Sequence, residues 1–263
     1  MALNDRVFLN PIFWKLHQKV QKFIYPRLTH RLGADDVLFI NWAYEQSPPM
    51  AVPLEASDEP YRYCIQLYHS TATQADLSGK RVLEVGCGHG GGASYLMRTL
   101  NPSSYTGLDL NPAGIEFCRR RHNLAGLDFV EGDAENLPFP DESFEAVINI
   151  ESSIHYRQFS RFLAEVARVL RPGGHFLYAD FRPRYAFAAW ESALADAPMR
   201  MLTQREINTE VARGMRLGRD RPQRGDIPAK DLSTQWSQGL TSKMERVLHS
   251  GGISYRMYCF TKD

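Results

Sequence analysis

The sequence predicts an α/β fold, a mainly parallel sheet with helices on both faces. Three observations carry this. Residues 81–85 are aliphatic and β-branched enough for a buried strand. Gly86, Gly88, Gly90, Gly91 and Gly92 then turn the chain into residues 93–100, which have helical spacing, so the unit is strand, glycine turn, helix. Strand-like and helix-like stretches keep alternating as far as residue 180. With 263 residues, 43% of them hydrophobic, the chain can bury the core of one such domain with additions, or of two small ones.

Upstream of the turn, Ile12, Leu16, Val20, Ile24, Leu28 and Leu32 recur every four residues, a helical period over residues 10–32 that Pro26 kinks or ends. Lys15, Lys19, Lys22, Arg27 and Arg31 give it a basic face; residues 1–33 hold six basic and one acidic residue, against a net charge of +1 for the whole chain. Such a helix packs on the core with its cations in water, lies on a membrane surface, or makes a homodimer contact. A second short helix is expected over residues 35–45 and a proline-rich loop over 47–53. Ser57 to Pro60 opens a further helix carrying Tyr61, Tyr63, Ile65, Leu67, Tyr68 and Ala72. Residues 1–76 thus read as a helical N-terminal cap.

After the first strand and helix, residues 105–109 form a second strand ending in Asp109, and 112–123 a helix. Residues 127–130 are the third strand and 146–150 the fourth. Phe159, Phe162, Leu163, Val166, Val169 and Leu170 share one face of a helix over 157–170, which Gly173 and Gly174 stop. The fifth strand, 175–180, ends in Asp180. Residues 190–197 and 203–216 read as helices, 218–228 as a loop, and no sixth strand is legible between 182 and 230. A helix over 237–250 and a strand over 253–261 complete the chain.

Ligands of an open α/β sheet bind beyond the carboxyl ends of its strands. Glu84, Asp109, Asp133, His155 and Asp180 all lie at or just past such ends. Gly86, Gly88 and Gly91 have the spacing of a dinucleotide fingerprint, so an NAD-dependent oxidoreductase is one reading. Glu84 opposes it: a carboxylate there repels a pyrophosphate and suits a ligand with a positive centre and an ammonium group. The run from Val82 to Gly90 resembles the first motif of the class I S-adenosylmethionine-dependent methyltransferases. Gly132-Asp133-Ala134 followed by Leu137-Pro138-Phe139, and Asp141 to Val147, resemble later motifs of that family.

The resemblance implies a Rossmann-like, seven-stranded sheet closed by residues 253–261 as an antiparallel strand, with residues 77–181 as the cofactor-binding core. Residues 182–235 become an acceptor-side lid insertion, and 236–263 return to the core. The implied cofactor is S-adenosylmethionine. Glu84, Gly86, Cys87 and Gly88 would meet its amino-acid end. Asp109, 25 residues beyond Glu84, would accept from the ribose hydroxyls with Leu110 beside it, although an acid before a helix is also common. Asp133, Ala134 and Glu135 would frame the adenine, Asn149 and Glu151 would border the site after strand four, and Tyr68 or Tyr63 would cover it.

Glu151 to Tyr156 and Ala179 to Phe181 are similar to segments of small-molecule O-methyltransferases, and the nearest likeness is to actinobacterial enzymes that methylate complex lipids and glycans. It implies His155 as the base for an acceptor hydroxyl, with Asp180 orienting it or acting itself. A sugar or glycan acceptor, such as a mannoside, is the first expectation and a phthiotriol-like or fatty-acyl hydroxyl the second; N- and C-methylation share the same cofactor half. A cofactor-binding protein without catalysis is a third reading. Mg²⁺ could be held by His155, Asp180 and Glu151, but no spacing demands it. The balanced charge argues against nucleic acid as a partner. Cys64, Cys87, Cys118 and Cys259 have no zinc or disulfide spacing and fit a reducing cytoplasm, and no apolar run is long enough to span a membrane.

Overall fold

The computed structural model describes residues 37–219 and 244–263. One sheet holds seven strands: β1 Arg81–Val85, β2 Ser104–Asp109, β3 Leu127–Glu131, β4 Phe144–Ile150, β5 Leu170–Pro183, β6 Arg200–Glu206 and β7 Ile253–Thr261. Their order is β3-β2-β1-β4-β5-β7-β6. β7 runs antiparallel to β5 and β6, and the other pairs are parallel. The expected Rossmann-like sheet with an antiparallel closing strand is present.

Period-two alternation sorts the core into two layers. Val82, Ala146, Ile148, Leu177, Ala179, Tyr255 and Met257 face one layer. There they meet α1 (Arg62–Ala72), α2 (Gly91–Leu100), α3 (Pro112–Arg121) and α6 (Asn208–Arg219) through residues such as Leu67, Leu96, Phe117 and Val211. Leu83, Val85, Val147, Phe176, Tyr178 and Phe260 face the other. It is closed by α4 (Phe159–Val169) and α5 (Phe187–Ala195) through Phe162, Val166, Trp190 and Leu194. Close packing explains one glycine directly: a Cβ on Gly92 of α2 would lie 1.9 Å from the Tyr68 ring of α1.

Three expectations change. Residues 37–45 are not helical but run as an irregular strap. Their amides bond outward instead of along a helix: Trp42 N–H to the Glu151 carboxylate, Tyr44 N–H to the Tyr63 carbonyl, Glu45 N–H to the Glu210 carbonyl. A sixth strand exists, so residues 200–206 of the stretch read as a lid belong to the sheet, and the following helix starts at Asn208 rather than 203. All seven residues of β6 are exposed, so it has no buried face to write an alternating pattern into the sequence. β5 runs from Leu170 to Pro183, well beyond the expected six residues, because its far end pairs with β7. The basic helix expected over residues 10–32, with its membrane or dimer contact, and residues 237–243 of the last helix lie outside the described residues; 244–249 are helical.

Candidate active site

The strand order reverses between β1 and β4, and the crevice at such a switch point is where open α/β sheets bind ligands. The glycine turn sits there, with φ of +80° at Gly86, +56° at Gly88 and +74° at Gly90. Its amides are engaged within the chain. Gly86 and Cys87 both donate to the Leu108 carbonyl at 2.7 and 3.0 Å, and Gly88 donates to Asp109 Oδ2 at 2.9 Å. A pyrophosphate needs such N–H groups free. Here they set the position of Asp109 instead, which argues against the dinucleotide reading.

Asp109 also accepts the Asn111 N–H on Oδ1 at 2.9 Å, and burial raises its pKa. A carboxylate has about four lone-pair sites, so each oxygen keeps one for the vicinal hydroxyls of a ribose. Leu110 beside it is 53% exposed, an apolar side chain at the mouth of the crevice. Asp133 lies at the neighbouring strand end, exposed, with Oδ1 accepting from Glu135 N–H. Ala134 is buried against the second core layer. Glu135 Oε1 accepts the Arg157 and Gln158 amides just before α4, where a carboxylate is favoured by the free N–H groups of a helix start.

Glu84 is fully buried, and its two oxygens accept hydroxyls from Tyr68 at 2.9 Å and Tyr105 at 2.8 Å. Tyr68 is thus a core partner of Glu84, and the strap does the covering: Ile40 packs over Gly88 and His89 donates to the Val37 carbonyl at 2.6 Å. Burial pushes the Glu84 pKa up to about 7, against the pull of the two hydroxyls. The folded protein then holds a proton that the unfolded chain releases near 4.5, so the contribution to stability is complete below about pH 4.5 and is lost as pH rises through 7. Between about pH 5.5 and about pH 8, the decline in stability on urea unfolding should be smaller in Glu84→Gln than in the wild type by about 2 kcal/mol. An equal decline in the variant would place the titration elsewhere.

Past β4 the chain makes a tight corner. Asn149, fully buried, donates from Nδ2 to the Val85 carbonyl and the Tyr156 hydroxyl, while its Oδ1 has no partner. Ser152 Oγ also bonds the Tyr156 hydroxyl, and a Cβ on Gly86 would lie 1.9 Å from that Oγ. Glu151 takes φ +53°, a left-handed conformation that is strained for glutamate. Its Oε1 accepts the Trp42 N–H at 2.8 Å and the Tyr255 hydroxyl at 2.6 Å. Burial raises its pKa to about 8. Trp42 stacks on Phe181 at 4.4 Å, and Tyr255 lies 5.7 Å from Phe181, so the carboxyl stands among three aromatic rings. The sequence pointed to Glu151 but not to these rings, which come from three distant segments.

His155 and Asp180 part company. His155 ends a 3-10 turn, Ser153–His155, and is exposed. Asp180 is fully buried: Oδ2 accepts Ser153 Oγ at 2.6 Å and Ile154 N–H at 2.9 Å with the Arg182 guanidinium 3.1 Å away, and Oδ1 accepts Phe181 N–H. It anchors the turn that carries His155. Among the described residues no group of three His, Cys, Asp or Glu could hold a metal ion, so the trio of His155, Asp180 and Glu151 is not a metal site there.

The crevice fits a nucleoside with an ammonium-bearing tail: a ribose-ready carboxylate, an exposed leucine beside it, and an orphaned buried amide oxygen at Asn149. A methyltransferase domain family matches residues 83–178, the stretch holding these groups. The "Fatty-acid O-methyltransferase" of Mycolicibacterium smegmatis is 58% identical over 258 residues, 95% of this chain and 94% of that one. The chain belongs to the S-adenosylmethionine-dependent methyltransferases. The "Phthiotriol/phenolphthiotriol dimycocerosates methyltransferase" of Mycobacterium tuberculosis is also 58% identical, over 94% of this chain and 93% of that methyltransferase. Among solved structures, geranyl diphosphate methyltransferase in complex with SAM superposes with a TM-score of 0.66 at 18% identity, covering 86% of this chain and 100% of the other. The [4+2]-cyclase SpnF reaches 0.70 at 22%, covering 93% and 96%. A cyclase and a methyltransferase sharing this methyltransferase's fold show that the fold alone does not name the reaction. No helix among the described residues is long and apolar enough to cross a membrane.

Proposed function

We propose that this methyltransferase transfers its methyl group to an oxygen of a long-chain lipid, a diol hydroxyl of the phthiotriol kind or a fatty-acyl oxygen. The observation that carries the reading is the pair of relatives at 58% identity over nearly their whole length, both named for lipid acceptors. The expectation of a sugar or glycan acceptor is therefore reversed; neither name refers to a sugar. Beyond the corner after β4 lies a groove of about 530 Å³ of mixed character, lined by Tyr156, Phe159, Tyr185 and Trp190 together with Arg157, Arg161 and Arg182.

The cofactor supplies a methyl group on a positively charged sulfur. In this reading Asp109 accepts from its ribose hydroxyls, Asp133 from the adenine amino group, and Asn149 Oδ1 from its ammonium, while Leu110 and Ala134 flank the ring. Gly86 and Gly88 keep the turn free of side chains where the strap and the cofactor converge. The test is incubation with methyl-labelled cofactor and three acceptor sets: long-chain diols, fatty acids and mannosides. Label in the lipid sets alone is expected; label in the mannosides alone overturns the reading.

A further inference from the structure

We propose that Glu151, rather than His155, receives the acceptor hydroxyl and takes its proton. The assignment rests on the lipid-oxygen reading above and names the catalytic group within it. Its first support is position. Glu151 is the first residue past β4, on the switch-point side of the sheet, next to Ser152, which touches the glycine turn. Its second is strain: a glutamate at φ +53° is held there by its surroundings, and such residues concentrate at working sites. Its third is the unequal use of its oxygens. Both hydrogen bonds, from Trp42 and Tyr255, fall on Oε1, which leaves Oε2 without a partner among the described residues. One oxygen is pinned and the other is open.

The surroundings make this carboxylate an unusually strong base. Burial favours its protonated form, and the Asp180 carboxylate on β5 adds a like charge. Among the described residues, the ionisable groups named with it are the Tyr255 hydroxyl on β7, Cys64 and Tyr68 on α1, and Asp180 on β5, none of them a cation. His155, by contrast, is exposed. In the step itself the hydroxyl oxygen bonds the methyl carbon, and the carbon–sulfur bond breaks with its electron pair remaining on sulfur. The hydroxyl proton passes to Glu151 Oε2, so a cationic sulfonium and a carboxylate become a neutral thioether and a carboxylic acid.

A fatty-acid carboxylate is already ionised and needs no base, whereas an alcohol does, and this separates a proton acceptor from a structural residue. Glu151→Gln keeps the oxygen that Trp42 and Tyr255 bond. It should bind S-adenosylhomocysteine as the wild type does, methylate fatty acids within about threefold, and lose 10²–10⁴-fold, roughly, in kcat on a long-chain diol. The wild-type diol rate should rise through about pH 8 and the variant's rise should vanish. Diol methylation by Glu151→Gln within about threefold of wild type overturns the proposal, as does a His155→Ala variant that loses the diol activity while Glu151→Gln keeps it. If the wild type methylates no lipid while binding S-adenosylhomocysteine, the lipid reading has failed, and the assignment falls with it.

Discussion

Asp180→Ala is expected to lower the stability of the folded protein by about 3–5 kcal/mol, the range for breaking a buried ion pair by removing one partner. The Arg182 guanidinium would remain at 8% exposure, between Phe159 at 5.3 Å and Trp190 at 5.0 Å, with its neutralising carboxylate gone. The Ile154 and Phe181 amides would lose their acceptor in the same change. Urea unfolding measures the loss. Pairing it with Arg182→Met tests the cause: the double variant should be destabilised by clearly less than the sum of the two singles, because the two charges are in contact. Additive losses, or a single-variant loss below about 1 kcal/mol, would mean that the ion pair is not what holds the 153–155 turn to β5.

Asp109→Ala should weaken the binding of S-adenosylhomocysteine by about 100-fold or more, since two charge-assisted hydrogen bonds are removed at roughly 1.5–3 kcal/mol each. The same carboxylate holds the Gly88 and Asn111 amides, so the glycine turn loses its tether as well. Isothermal calorimetry gives the affinity, and far-ultraviolet circular dichroism shows whether the sheet is retained. Wild-type binding of NAD with affinity similar to that for S-adenosylhomocysteine would contradict the reading of this crevice, because the turn's amides at 86, 87 and 88 are engaged by Leu108 and Asp109. Undiminished binding in a folded Asp109→Ala protein would remove the ribose role.

Strands with two buried faces and helices with one buried stripe announce themselves in sequence, and β1, β4 and α4 were readable for that reason. The strap over residues 37–45 and the edge strand β6 were not. The first is held by bonds to partners far along the chain and the second by backbone pairing with β7, and neither leaves a periodic trace in its own side chains. The same distinction divides the candidate site. Asp109 was legible from its spacing after Glu84, and Asp133 from the resemblance of Gly132-Asp133-Ala134 to the family's motif. Glu84, Glu135 and Asp180 were legible as acids on the same rim, but a carboxylate's partners decide whether it faces a ligand or the protein. Those partners are Tyr68 and Tyr105, the amides before α4, and Arg182 with Ser153.

By itself, the sequence determined the strands and helices of the parallel core, the glycine turn and the row of acids along one edge of the sheet, because local periodicity and spacing encode these. Only the tertiary structure decided which of those acids remain open. It tied Glu84, Glu135 and Asp180 to donors within the protein and gave Glu151 both of its bonds on one oxygen. The physical reason is that a carboxylate's chemistry depends on the donors and the water around it, and folding brings those donors from other segments, Tyr255 to Glu151 across more than 100 residues.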